Sequence, residues 1–441
     1  MRRSHHTQSS VGSGLSRRSL LQLAGAGAAL PVVGSALSGC GSGSGGADSG
    51  KLTFVYRGDA TQQDAFNKLF EEFNKKQPEI KLEPQGIAAE TWGEFANTVA
   101  TRVAGGQVPD IIQVATEGQR TFASKGILAP LDEYMDSDSD LVDDYFNDIN
   151  PNLADWNTKY ASTDDSTYYI PGGYNTVCFW YNAETWEKAG AEPPTNDWTW
   201  DDFMAAAEKL KAAGSFIIPM SSDPFTAILP WMLTNGASPL NESWDKATFN
   251  TPASVEAAEF AREVIAQGFS PKPGGSFAVN EQVVKGKLAG FPGGRWPILG
   301  MREQKIVDQM KIVPMPQNTT HGSPIGWDAW AIFKDSEQKD AAWEFLKFMM
   351  SEEAGKYFAT EGGTIVPARI SVANSSAFTD DAPEGTKTLV DAVSYATPIP
   401  SPAKGGQIQT KMINAWDKVL AGNAEAGSAL DQANEQIAGL L

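Results

Sequence analysis

The sequence is poor in the side chains that most catalytic and metal centres use. Among 441 residues there are two cysteines and three histidines, and His321 is the one histidine beyond residue 40. A histidine-based zinc site, a Ser-His-Asp triad or a Cys-His pair would each depend on that residue. Because it lies in the polar loop 318–323, we interpret it as a solvated loop histidine. We expect no metal, no cofactor and no catalytic residue.

The chain also lacks the features of nucleotide and nucleic-acid binders. It has no phosphate-binding loop, and its glycine pairs lack the required spacing. Its net charge of −19 repels nucleic acid and anionic lipid head groups. Cys178 lies in the apolar run 176–181, so we expect a buried thiol and no intrachain disulfide.

No hydrophobic run is long enough for a typical membrane span, which needs about 20 strongly apolar residues. Instead, Arg17 and Arg18 precede an Ala/Gly-rich stretch that ends in Leu-Ser-Gly-Cys at 37–40. This pattern predicts a signal peptide of the twin-arginine type over 1–39. The last four residues resemble a lipobox, so Cys40 is the expected lipidation site. Residues 40–50 then form a flexible linker, and the protein is anchored to the outer face of the cell membrane. The alternative is a plain transmembrane anchor.

Beyond residue 50, strand and helix patterns alternate. Apolar strands are predicted at 52–56, 80–83, 110–114, 176–181 and 326–332, with amphipathic helices between many of them. This alternation predicts an α/β fold with a parallel sheet covered by helices on both faces. Residues 132–167 are acidic and predicted to be loop-like. About 400 residues exceed one ordinary core, so two lobes are expected.

Several short segments, in order, resemble the family-1 extracellular solute-binding proteins, which include the maltose-binding protein. They are Pro-Asp-Ile-Ile at 109–112, Phe-Ala-Ser-Lys-Gly-Ile-Leu at 122–128, Tyr-Asn at 181–182, Trp-Glu-Lys-Ala-Gly at 186–190, Trp-Thr-Trp-Asp-Asp-Phe at 198–203, Gly-Lys-Leu-Ala at 286–289, Gly-Gly-Arg-Trp at 293–296, Ala-Ala-Trp-Glu-Phe-Leu-Lys-Phe at 341–348 and Val-Pro-Ala-Arg at 366–369. Each segment alone is a weak signal, but the ordered set covers nearly all of 51–441.

The resemblance implies a two-lobe periplasmic-binding-protein-like fold of type II. Its discontinuous lobes would be joined by three hinge crossings, near 174–177, 324–327 and 364–369. The N-terminal lobe would comprise 51–174 and 326–365, and the C-terminal lobe 177–323 and 369–441. A carbohydrate would bind in the cleft and close the hinge, and the closed protein would deliver it to the membrane permease of an ABC importer.

Carbohydrate recognition combines polar side chains for the hydroxyl groups with flat aromatic rings for the apolar face. Glu117 follows the strand 110–114 where the maltose-binding protein has an acidic sugar contact, and Trp296 matches one of its stacking tryptophans. Asn175 stands where that relative has a glutamate. The full set of candidate ligand-binding residues is Asp59, Glu117, Tyr174, Asn175, Asp223, Phe225, Trp231, Arg295, Trp296, Trp327, Asp328 and Arg369.

Two other functions stay open at this stage. A secreted glycoside hydrolase would use the same acids and aromatics, with two carboxylates held about 5–10 Å apart. A binder of a non-sugar solute, such as a peptide, an amine or a phosphate, would share the fold. In each case the expected protein is a monomer that binds no nucleic acid.

Overall fold

The computed structural model of the protein describes residues 51–89, 91–164, 166–273 and 277–441. The predicted signal peptide, the lipidation site Cys40 and the linker to residue 50 lie outside these ranges. The strands of the described ranges are β1 (Lys51–Arg57), β2 (Lys81–Ile87), β3 (Ile111–Ala115), β4 (Ile170–Thr176), β5 (Cys178–Asn182), β6 (Gly290–Gly293), β7 (Met310–Val313), β8 (Ser323–Ile332), β9 (Val366–Pro367) and β10 (Ala396–Pro398).

Helices surround these strands. They are α1 (Ala60–Lys76), α2 (Trp92–Ala104), α3 (Thr116–Ser124), α4 (Asp132–Ser137), α5 (Ser139–Asn147), α6 (Pro151–Trp156), α7 (Ala183–Ala189), α8 (Trp200–Ala212), α9 (Leu229–Leu233), α10 (Pro252–Ala266), α11 (Val279–Val284), α12 (Ile298–Glu303), α13 (Lys339–Met350), α14 (Glu352–Ala359), α15 (Ile370–Ala373), α16 (Ser376–Thr379), α17 (Thr388–Asp391), α18 (Gly405–Leu420) and α19 (Ala426–Ala438). Asn157–Ala161 and Pro224–Ile228 form π-helical turns, and Val307–Gln309 and Ala392–Tyr395 form 3₁₀ turns.

The strands form two separate sheets. The large sheet has the order β2-β1-β3-β8-β4-β9, with β10 paired to β8, and the small sheet has the order β6-β5-β7. In the large sheet β1 runs parallel to β2 and β3, whereas β8 is antiparallel to β3 and β4. In the small sheet β5 is antiparallel to both neighbours. The predicted parallel pairing therefore holds for β1, β2 and β3 and for β10 with β8, whereas β8 is antiparallel to β3 and β4, and β9 is antiparallel to β4.

The helix pattern of the first segment determines how α1 packs. Asp59 caps α1: its carboxylate accepts from the backbone N–H of Gln62 at 3.0 Å, and the Gln62 side chain accepts from the Asp59 N–H. Helical spacing places Phe66 and Phe70 on one face, where the Phe70 ring meets Phe54 of β1 edge to face at 5.7 Å. Burying this aromatic stripe fixes α1 against the sheet and brings the end of β1 to the edge of the cleft.

Residues 132–167 are not the loop that their acidity predicted. They contain α4, α5, α6 and the turn Asn157–Ala161. Val142 and Tyr145 of α5 lie three positions apart and are both buried, as is Leu153 of α6. Apolar residues spaced for a helix thus outweigh the surrounding aspartates, which stay on the solvent side.

Consecutive strands change sheet at two places. β4 belongs to the large sheet and β5 to the small one, and the chain returns between β7 and β8. The third expected crossing, near 364–369, is different. The Arg369 guanidinium forms ion pairs with Asp144 at 2.8 Å and Asp148 at 3.1 Å, so this segment stays with the helices beside the large sheet. Arg369 therefore lies beside α5, and the expected lobe boundary at this residue stays a prediction.

Helices of the described ranges are all too short or too polar to cross a bilayer. Cys178 is buried, as expected, and burial raises the pKa of its thiol to about 12.

Candidate ligand-binding site

A cavity of about 350 Å³ opens where β1 and β3 end, between the large sheet and the elements around the small sheet. In open α/β sheets, ligands bind in the crevice outside the carboxyl ends of the strands. The cavity occupies this position relative to β1 and β3. The lining residues are Arg57, Gln62, Phe66, Thr91, Trp92, Gln113, Ala115, Glu117, Asn175, Asp223, Phe225, Thr226, Trp296, Gly326, Trp327, Asp328, Phe358, Thr364 and Ile365. Seven of the twelve sequence-predicted residues belong to this set.

Glu117 lies in the first turn of α3, as the sequence predicted. Burial raises the pKa of its carboxyl to about 7, and Asp223 across the cavity raises it further, while its own backbone amide and Arg57 oppose the rise. A helix N-terminus favours a carboxylate. The site therefore holds an acid that ionises close to neutral pH and faces the cavity.

Asp328 of β8 and Gln113 of β3 lie on adjacent antiparallel strands. The Gln113 amide nitrogen donates to Asp328 Oδ2, and Asp328 is only 4% exposed. Among the described residues Asp328 Oδ1 has no hydrogen-bond partner. Burial raises the pKa of Asp328 to about 7, whereas the hydrogen bond from Gln113 lowers it. The free oxygen is a strong acceptor for a donor group on a ligand.

Arg57 ends β1 and lines the same wall. Its Nε donates to the Ala89 carbonyl at 3.1 Å, and its guanidinium lies 5.3 Å from the centre of the Trp92 ring. Burial lowers the pKa of Arg57, and Glu117 among other carboxylates raises it. Arg57 is thus held in place by a carbonyl and an aromatic face, beside the acid that it partly neutralises.

Trp296 supplies the exposed aromatic surface of the cavity. It is 37% exposed, and its ring lies 6.2 Å from that of Phe225, tilted by 40°. Gly294 precedes it by two positions, and a Cβ there would clash with the Trp296 ring and with Asn175 Oδ1. The glycine therefore allows the turn after β6 to present the indole ring to the cavity.

Trp327 lines the cavity from beneath. It is fully buried, its Nε1 donates to Asn157 Oδ1 at 3.3 Å, and its backbone N–H donates to Thr116 Oγ1 at 2.9 Å. It forms a fixed floor rather than an exposed stacking plate.

The other two acids have local structural roles as well. Asp223 caps the turn Pro224–Ile228, since its Oδ1 accepts from the backbone N–H and the hydroxyl of Thr226, both at 2.7 Å. Asp59 caps α1 and lines an adjoining space of about 610 Å³ that shares Arg57 and Trp296 with the cavity.

Besides Asp59, four predicted residues fall outside the cavity lining that the described residues define. Tyr174 and Trp231 are buried, and the Trp231 ring packs edge to face on Phe203 at 5.4 Å. Arg295 is fully buried, with its guanidinium 4.3 Å from the Phe378 ring. Arg369 forms ion pairs with Asp144 of α5 and with Asp148, which follows α5. These side chains serve packing, so we leave them out of the proposed ligand set.

Sequence reasoning missed Arg57, Trp92 and Gln113. Gln113 is the one polar residue in the stretch 111–114, and that interruption of the apolar pattern was the available signal. Arg57 and Trp92 stand at the end of a strand and the start of a helix, where their direction depends on packing.

No group of three or more His, Cys, Asp or Glu side chains in the described ranges is arranged to hold a metal ion. The described lining of the cavity offers carboxylate and amide groups, aromatic rings and one guanidinium group.

Comparison with known proteins identifies the protein family and the fold of this chain. The family described as bacterial extracellular solute-binding protein matches residues 59–356. An ABC substrate-binding protein from Listeria monocytogenes, in complex with cycloalternan, superposes with a TM-score of 0.78 at 24% identity and covers 89% of this chain and 99% of its own. The likeness shows a two-lobe α/β fold.

Two curated relatives are similar in sequence along most of their length. The maltotriose-binding protein of Pyrococcus abyssi is 23% identical over 84% of this chain and 78% of its own. The sn-glycerol-3-phosphate-binding periplasmic protein of Rhizobium meliloti is 23% identical over 85% of this chain and 89% of its own.

The fold and its cleft are those of an extracytoplasmic solute receptor. The chain belongs to the bacterial extracellular solute-binding protein family.

Proposed function

We propose that this protein captures a carbohydrate in the cleft between its two lobes and delivers it to an ABC importer, without chemical conversion of the ligand. One observation carries the proposal: the exposed ring of Trp296 shares a cavity with the acceptor groups of Glu117 and Asp328. An aromatic plate covers the apolar face of a sugar, and carboxylates accept from its hydroxyl groups.

Two similar proteins support a carbohydrate as the ligand. The maltotriose-binding relative and the cycloalternan complex concern oligosaccharides. The cavity of about 350 Å³ lies within the usual range for small-ligand sites, roughly 300–1,000 Å³. Adjoining spaces along the same walls leave room for a ligand longer than one sugar ring.

We propose that hinge closure around the ligand is the signal to the importer. The large sheet anchors one lobe and the small sheet the other. Two of the hinge segments are the connection from β4 to β5 and the connection from β7 to β8. Asn175 lies near the end of β4, next to the first connection. The third connection comes after Arg369, because that residue is tied to Asp144 and Asp148.

We also propose that the mature protein is a lipoprotein anchored through Cys40 to the outer face of the cell membrane. The support is the Leu-Ser-Gly-Cys sequence at 37–40 after a basic and weakly apolar leader. Replacing Cys40 by serine should release the protein from the membrane fraction and abolish lipid incorporation. Retention of Cys40→Ser in the membrane would contradict the anchor.

The function is tested by thermal unfolding and calorimetry of the purified full chain against mono- and oligosaccharides. A ligand that binds the native state raises the melting temperature by mass action. Trp296→Ala should abolish the shift. Leu141→Ala is the matched control, since Leu141 is also 37% exposed but lies outside the cavity, and it should leave the shift intact.

Other outcomes would contradict the proposal. Shifts from peptides or phosphates, with none from carbohydrates, would identify a receptor for a different solute. Release of cleaved glycans during incubation would identify a hydrolase.

A further inference from the structure

Carboxylates greatly outnumber cationic side chains around the cavity. Glu117, Asp223 and Asp328 line it, and Arg57 is the one cationic side chain in its described lining. A cleft in which charges of one sign predominate concentrates the field inside it and raises the local concentration of ligands of the opposite sign.

The same excess continues at the rim. Three adjoining spaces, of about 610 Å³, 560 Å³ and 700 Å³, share lining residues with the cavity. The described walls of the first two add Asp59, Glu94 and Glu303 and no cation beyond Arg57. The third adds one residue of each sign, Lys272 and Asp417. The carboxylates thus extend from the floor of the cleft to its mouth.

Within this group of carboxylates, Asp328 offers a specific hydrogen-bond acceptor for a ligand. It is 4% exposed, it lines the cavity, and among the described residues its Oδ1 accepts no hydrogen bond. A buried carboxylate oxygen without a partner carries a large desolvation penalty. A bound group that donates a hydrogen bond and carries a positive charge removes that penalty most completely.

We infer that the ligand is a carbohydrate that carries a basic nitrogen, and that anionic sugars such as phosphate esters are rejected. The inference rests on the proposed function and narrows its ligand class. A neutral hydroxyl group also donates to a carboxylate, but it leaves the negative charges of the cleft unbalanced. An ammonium group donates and balances the charge, and the rings of Trp296 and Phe225 can bind it through their faces as well.

The pKa values of the two buried carboxyl groups agree with this assignment. Burial, without a neighbouring cation strong enough to offset it, raises the pKa of both Glu117 and Asp328 to about 7. A bound ammonium would favour the ionised form of each carboxyl.

The test uses ligand pairs that differ in charge but hardly in shape, titrated calorimetrically into the full chain. The β-1,4-linked glucosamine trimer is paired with cellotriose, and an amine-bridged pseudotetrasaccharide is paired with maltotetraose. In at least one pair the amine should bind about tenfold more tightly. The preference should shrink as salt is raised, and sn-glycerol 3-phosphate should not bind.

Variants connect the preference to the cleft. Asp328→Asn keeps the size of the side chain and its acceptor for Gln113, so it should reduce the amine-to-neutral affinity ratio by about tenfold. Asp223→Asn is a second variant in case Asp328→Asn folds poorly. Glu259→Gln changes the charge equally on an exposed face of α10, outside these cavities, and should leave the ratio unchanged.

The inference fails if neutral members bind as tightly as amines in every pair, or if sn-glycerol 3-phosphate binds best. The proposed function would survive the first result, and it would survive the second as long as a carbohydrate also binds. If polyamines bind while no carbohydrate of either kind does, the proposed function fails and this inference with it.

Discussion

The side-chain carbonyl of Asn175 accepts a hydrogen bond of 2.7 Å from the backbone N–H of Arg295. This bond joins β4 of the large sheet to the turn after β6 of the small sheet, which carries Trp296. The Asn175 amide nitrogen donates to the Thr364 carbonyl at 3.2 Å. Since both ends of the amide are engaged, Asn175 is a positioning residue that links the two sides of the cavity.

The variant Asn175→Asp removes one of these two hydrogen bonds and keeps the other. The variant keeps an acceptor for the Arg295 N–H but places a carboxylate oxygen against the Thr364 carbonyl. Because the two oxygens repel, we expect about tenfold weaker binding of the carbohydrate ligand, mostly through faster dissociation. Calorimetry and stopped-flow fluorescence measure the two effects. An unchanged dissociation rate would show that the link does not position Trp296.

Gly294→Ala tests the same turn from within. The added methyl group would clash with the Trp296 ring and with Asn175 Oδ1, so the indole should turn away from the cavity. We expect ligand binding to fall at least tenfold, with a smaller loss of thermal stability because Trp296 is partly exposed. Gly427→Ala, where a Cβ meets nothing within 4 Å, is the control and should bind normally. Equal affinity in both variants would contradict the role of Gly294.

Arg295 was predicted to contact the ligand. In the structure its guanidinium group links the turn after β6 to two distant segments of the chain. Its Nη2 donates to the carbonyls of Ala359 at 3.3 Å and Phe378 at 3.1 Å, and its plane lies over the Phe378 ring. Burial lowers the pKa of Arg295 to about 9, so the side chain stays protonated at neutral pH.

Arg295→Lys keeps the charge and loses the planar fork. An ammonium group cannot reproduce the stacked geometry and both carbonyl bonds, so the free energy of unfolding should fall by about 2 kcal/mol. Urea denaturation measures this. Arg262→Lys changes a partly exposed arginine in a loose 3.8 Å ion pair and should cost less than about 0.5 kcal/mol. A similar loss in both variants would refute the anchoring role.

The sequence carried strong signals for strands, helix starts and some site residues. Glu117 was predicted because it follows a buried strand at the beginning of a helix, a position that backbone geometry alone defines. Trp296 was predicted because it lies in a Gly-Gly-Arg-Trp turn and matches a sugar-stacking tryptophan of the maltose-binding protein. Both line the cavity in the structure, and their role as ligand contacts stays a prediction.

The sequence could not reveal which way neighbouring side chains point. Arg295 and Trp296 are adjacent in the chain, yet one is fully buried and the other is 37% exposed. That difference depends on Phe378, more than 80 positions away. Arg369 likewise appeared suited to a ligand, but its partners Asp144 and Asp148 come from a segment that was predicted to be a loop. Long-range packing decided both cases.

Asp328 should make stability depend on pH, and the sign follows from its environment. Burial raises its pKa from 3.8 to about 7 in the folded chain, although Gln113 and the backbone N–H of Gly173 lower it; the buried Tyr145 hydroxyl also lies in its field. A carboxyl with a raised folded-state pKa favours folding while it is protonated, and that contribution is lost as pH rises from about 4 to about 7.

Asp328→Asn removes this ionisation while keeping an oxygen for Gln113. Relative to the wild-type chain, the variant should gain stability steadily between pH 4 and pH 7, by on the order of 3 kcal/mol, and then stay level to pH 8. Denaturation at several pH values measures the difference. A flat profile for Asp328→Asn would mean that the carboxyl is already paired by other groups of the protein, and the electrostatic basis for an amine-bearing ligand would then be lost.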